Sequence, residues 1–140
     1  MGDIVRTHRQ IVKHLAVAAG LALALACGGS STAPSPPAGG GSPGPIGATI
    51  TIGSNGAVSP ATVTINNGES VMFVNSHNRP HQMASDPHPD HNQCPPINGA
   101  GTLDAGQSRA TFAMTTSRTC GFHDHLDDTN ASLRGTIVIR

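Results

Sequence analysis

From residue 47 onward, the side chains able to do chemistry in this 140-residue chain are six histidines and two cysteines, gathered in three short runs. The first ends Asn75-Ser76-His77-Asn78-Arg79-Pro80-His81. The second is Ser85-Asp86-Pro87-His88-Pro89-Asp90-His91-Asn92-Gln93-Cys94. The third is Arg118-Thr119-Cys120-Gly121-Phe122-His123-Asp124-His125. Imidazole is the commonest protein ligand for transition metals, and a thiolate joined to two imidazoles suits copper in both of its oxidation states. His123 and His125, two apart in extended chain, point the same way and can reach one ion. The second run reads either as a further metal site or copper-loading loop, or as a solvated polar loop whose imidazoles do nothing specific. His77 reads as a surface residue on the approach to His81, and Met83 and Met114 read as packing residues. No strained Ser elbow, phosphate-cradling Gly loop or paired-carboxylate signature is present, so a non-enzymatic role is expected.

The elements that must position these runs are short and β-branched. Ala48 to Ile52 and Ala61 to Ile65 alternate with period two, as half-buried strands do, and Gly53-Ser54-Asn55-Gly56 and Asn66-Asn67-Gly68 supply turns. Glu69 to Asn75 is apolar on both faces and predicts a central strand. Ser108 to Met114 alternates, with Ala110, Phe112 and Met114 on one face, and Gly135 to Arg140 predicts a closing strand. Short strands separated by turn signals indicate an all-β Greek-key sandwich or barrel. The stretch from His77 to Gly101 contains Pro80, Pro87, Pro89, Pro95 and Pro96, and it predicts a functional loop with no strand. A core this modest, with three Phe in the chain, would gain from a metal or a disulfide.

At Val71 to His81, and at Cys120-Gly121-Phe122-His123 followed by Gly135-Thr136-Ile137-Val138-Ile139, the domain resembles the cupredoxins of the amicyanin and plastocyanin kind. The likeness runs over nearly all of residues 48–140. It implies a cupredoxin-like Greek-key β-sandwich binding one copper ion, with His81, Cys120 and His123 as equatorial ligands and Asn75 tying the ligand loops together. The axial Met of the family has no counterpart: the aligned residue is Leu133, and Leu126 has the right spacing but is no ligand either. His125 is the alternative fourth ligand. The implied role is a one-electron carrier, a monomer serving a redox partner protein in the cell envelope. Two other readings stay open, a copper-binding or delivery module without electron transfer, and a metal-free interaction domain stapled by Cys94–Cys120, a bond that would remove the thiolate. Gly121-Phe122-His123-Asp124-His125 also resembles a copper-binding string of copper/zinc superoxide dismutases. The further His ligands those enzymes need downstream are missing, because no His follows His125.

The N-terminus carries targeting information. Arg6, Arg9 and Lys13 precede an apolar run from Leu15 to Ala26, which is too short for the roughly 20 residues of a membrane span and fits a secretory signal. Ala24-Leu25-Ala26-Cys27 resembles a bacterial lipobox, which implies a lipid on Cys27 and a protein anchored at the envelope, facing the periplasm or the exterior. The expected organisation is a signal peptide over 1–26, a Pro/Gly/Ser-rich disordered tether over 27–46 and the domain over 47–140. In the domain five arginines face seven carboxylates, a formal charge of −2 with His neutral, and the chain has no Trp or Tyr. That composition argues against a nucleic-acid partner.

Overall fold

The computed structural model describes residues 41–140. The expected signal peptide, Cys27 and the tether up to residue 40 lie outside the described residues. Two sheets face each other. One has four strands in the order β2 (Val58–Ser59), β1 (Ile46–Ile52), β4 (Ser70–Asn75) and β7 (Ser108–Ala110). The other has five: β3 (Thr62–Ile65), β9 (Gly135–Ile139), β8 (Arg118–Asp124), β5 (His81–Ser85) and β6 (Gly101–Leu103). The pairs β1/β4 and β3/β9 are parallel and the remaining pairs antiparallel, so the chain crosses repeatedly between sheets as a Greek-key sandwich requires.

The core forms where the alternating strands turn their apolar faces together. Ile50, Val71 and Phe73 from one sheet meet Met83, Phe122 and Ile137 from the other, all fully buried. Phe73 and Phe122 join the sheets edge to face, with ring centroids 5.3 Å apart.

Three expectations are corrected. The stretch from His77 to Gly101 contains the strand β5 and the first residue of β6, and β5 lies between β8 and β6 inside the five-stranded sheet. Its prolines bracket β5 without entering it: Pro80 precedes His81 and Pro87 follows Ser85, leaving five residues whose N–H groups are free to pair. The strand expected over Ser108–Met114 ends at Ala110. Beyond it the backbone bonds to three separate segments, with Thr111 and Met114 N–H donating to the Val71 and Glu69 carbonyls, Phe112 N–H to Pro96 and Ala113 N–H to Ser42. Finally, ordered chain begins before residue 47. β1 starts at Ile46, Ala113 N–H donates to the Ser42 carbonyl, Gly44 N–H to Ser70 Oγ and Ser70 N–H to the Pro45 carbonyl. Residues with little side chain to bury are held there by main-chain hydrogen bonds.

Candidate metal centre

β8 sorts the third chemical run by face. Cys120, Phe122 and Asp124 point into the sandwich, whereas Gly121 and His123 point outward. β5 pairs with this end of β8, with Ala84 opposite His123 and Ser85 opposite Phe122. Past Ser85 the chain folds back over the outer face of β8. Asp86 N–H donates to the Gly121 carbonyl (3.0 Å) and Gly121 N–H donates to Gln93 Oε1 (2.8 Å). His123 faces outward and is nonetheless 1% exposed, because this loop covers it.

Beneath and within the loop, His88, His91, His123 and His125 come together, each with one ring nitrogen within 4.8 Å of those of the others. His91 and His125 have ring centroids 4.7 Å apart and His91 and His123 5.1 Å. His125 opens a short 3-10 turn (His125–Asp127) whose first free N–H, that of Leu126, donates to the Asp124 carboxylate. His91 takes a left-handed backbone conformation (φ 51°), uncommon for a residue with a side chain, and both its backbone groups are tied down. Its N–H donates to the Pro87 carbonyl and its carbonyl accepts from Asn98 Nδ2.

The surroundings of His91 oppose its protonation. His91 is held below its ordinary value of 6.5, first by burial and then by the facing His125, His123 and His88, with Asp90 opposing. His123 Nδ1 donates to Asp86 Oδ1 (2.7 Å), while its Nε2 is, among the described residues, the buried side-chain polar atom with no hydrogen-bond partner. An orphaned buried nitrogen facing three other imidazoles calls for a ligand. The donor set fits a late transition metal. Tetrahedral bonds of about 2.0–2.1 Å place the nitrogens roughly 3.4 Å apart, so closing on one ion asks each ring to move by up to about 1 Å.

The expected ligand set of His81, Cys120, His123 and His125 is therefore split three ways. His123 and His125 meet as their spacing predicts. Cys120 does not join them: it points into the core and is bonded to Cys94, so no thiolate is available. His81 does not join them either. It opens β5 at the mouth of the sandwich, with Nδ1 2.7 Å from Asp124 Oδ2 and Nε2 2.9 Å from His77 Nδ1. Asp124 is 1% exposed and also accepts from Gln82 N–H (2.8 Å), so this is a hydrogen-bonded relay from a buried carboxylate to a surface imidazole. His77, expected to be a bystander, completes it. The relay borders a cleft of about 500 Å³ that Leu133 also lines. Asn75 donates to the Arg79 and Leu103 carbonyls and accepts from His77 N–H, so it ties the loop of His77 and His81 to β6 and does not reach the segment of Cys120 and His123 as expected. Sequence reasoning left His88 and His91 unassigned. The signal for them was the repeat of close-spaced His pairs, three apart at 88/91 and two apart at 123/125.

Comparison with known proteins identifies the fold. The chain is similar to a purple cupredoxin from Nitrosopumilus maritimus (16% identity, TM-score 0.54, 66% of this chain and 99% of that one). It is similar also to the oxidised form of plastocyanin from Dryopteris crassirhizoma (19%, TM-score 0.52, 66% and 99%). A third likeness is to an amicyanin variant solved as its Cu(I) form (16%, TM-score 0.51, 69% and 82%). No family model and no curated protein matches the sequence. At these identities the likeness establishes a cupredoxin-like all-β sandwich, and function has to be argued from the site.

Proposed function

We propose that this chain is a copper-binding protein of the cell envelope, a binding module and not an enzyme, whose ion is held by His88, His91, His123 and His125. The observation that carries this is the buried, unpartnered Nε2 of His123 within reach of three further imidazoles. An all-imidazole set suits copper, zinc, iron or nickel, and among divalent first-row ions affinity peaks at Cu(II). The amicyanin variant of the same fold holds Cu(I), which supports copper over the rest. The electron-carrier expectation depended on a thiolate, and the Cys94–Cys120 bond takes that ligand away. The four-imidazole cluster supports a binding, storage or delivery role in place of electron transfer. A lipid on Cys27 would hold the domain at the membrane surface, and Cys27→Ser should release it from the membrane fraction.

Loading the domain with Cu(II) tests the proposal. One equivalent should bind, with an EPR spectrum showing several nitrogen couplings and without the intense visible band of a copper thiolate. Replacing His123 and His91 by Ala should abolish that signal. An intense visible band, or full copper retention in the double variant, would overturn the assignment.

A further inference from the structure

Asp86 is fixed more firmly than a loop carboxylate needs to be. Its N–H bonds to Gly121 across β8 and its carbonyl accepts from Gln93 N–H (2.9 Å), so it extends the β5/β8 ladder by one step. Its side chain then lies flat over Gly121, where a Cβ would overlap Asp86 Oδ2. Only glycine at position 121 leaves that space. The carboxylate is thereby aimed at His123, with Oδ1 2.7 Å from Nδ1. A carboxylate only accepts, so Nδ1 must carry the proton and Nε2 must present its lone pair. That lone pair belongs to the orphaned nitrogen facing His88, His91 and His125.

We infer that Asp86 is the positioning residue of the four-imidazole site, with Gly121 as the gap that admits it, and that its charge biases the site toward the divalent state of copper. The inference rests on the proposed metal reading. Four neutral imidazoles bring no charge to compensate an ion, and the attraction of a fixed carboxylate scales with the ion's charge. Asp86 acts through a direct hydrogen bond to a ligand, which also raises the ligand's basicity. The other carboxylates at the cluster are worse placed. Asp128, as exposed as Asp86, is 3.8 Å from His88 Nε2 and so beyond hydrogen-bond distance, and Asp90 stands beside His91 without a hydrogen bond to it among the described residues.

Two measurements on the folded domain decide the matter. Ring 15N NMR of the metal-free protein above pH 7.5 should find His123 with its proton on Nδ1 in the wild type and in Asp86→Asn, whose amide oxygen still accepts. In Asp86→Ala that preference should be lost. Competition titrations with Cu(II) and with Cu(I) should then show Asp86→Ala and Gly121→Ala weakening Cu(II) about 10- to 100-fold. Asp86→Asn should weaken Cu(II) at least tenfold more than it weakens Cu(I), and Asp128→Asn should change either by less than threefold. A wild-type His123 protonated on Nε2, or an Asp86→Asn that weakens both oxidation states equally, overturns the inference. Failure of the underlying metal reading has its own sign, a wild type that takes up no copper.

Discussion

At the scale of single residues, burial decides which polar groups matter. Asp124 is a carboxylate enclosed by the sandwich and satisfied by His81 and backbone donors, and removing it strands a buried imidazole. Asp124→Ala should cost about 1–3 kcal/mol, read as a lower denaturant midpoint at pH 7. Phe122→Ala, which empties the centre of the inter-sheet contact, should cost about 3–5 kcal/mol. A midpoint unmoved in either variant would contradict the packing described. His91 gives a pH signature. Unfolded, it takes its proton near 6.5, whereas the folded cluster holds it lower. Below about pH 6.5 the unfolded chain therefore binds the proton first, and the metal-free protein should lose stability as pH falls from there to the folded value. Urea midpoints at pH 7.5 and pH 5 should show the decline, and His91→Gln should flatten it. A slope unchanged by that substitution would remove His91 as its source.

At the scale of elements, the disulfide and the metal ligands are one arrangement. Cys94 ends the loop that carries His88 and His91, and Cys120 lies in the strand that carries His123. Each cysteine stands three residues from a ligand. The bond joins the two ligand-bearing segments and closes a loop with a sequence separation of 26. The paired replacement Cys94→Ser with Cys120→Ser should lower stability by about 3–4 kcal/mol and weaken copper binding in the same protein. Copper affinity untouched in a folded serine variant would show that the staple does not preorganise the site. The element scale is also where sequence reading was weakest. His81 to Ser85 has no β-branched residue and sits between prolines, so neither propensity nor alternation marks it as a strand. It forms one because β8 and β6 each offer a free edge on either side of it. Ser108 to Met114 failed in the opposite sense, since a good alternating pattern stops being a strand where no continuous partner runs beside it.

At the scale of the whole molecule, the fold does not depend on the ion. A closed apolar core joins the sheets and the disulfide ties the loop ending at Cys94 to the central strand β8, so the metal-free domain should fold cooperatively and copper should add stability by mass action. Free Cu(II) at a hundred times its dissociation constant should contribute about 2.7 kcal/mol, seen as a concentration-dependent rise in Tm that His123→Ala loses. A Tm insensitive to copper in the wild type would count against specific binding in the native state.

Several properties were legible from the chain alone because they depend on local periodicity and chemical type. These include the all-β architecture, the strands around Ile50, Val63, Phe73 and Ile137, the excess of imidazole and the convergence of His123 with His125. Whether the two sulfurs of the domain pair and which imidazoles meet are questions of three-dimensional neighbourhood. Cys120 faces inward and His123 outward only because β8 lies in a sheet with two different sides, and the loop from Asp86 to Cys94 could cover one side or lie in solvent. Spacing along the chain is blind to that choice. Pairing of β5 with β8 makes it, carrying His88 and His91 over His123 and leaving His81 with Asp124 at the mouth of the sandwich.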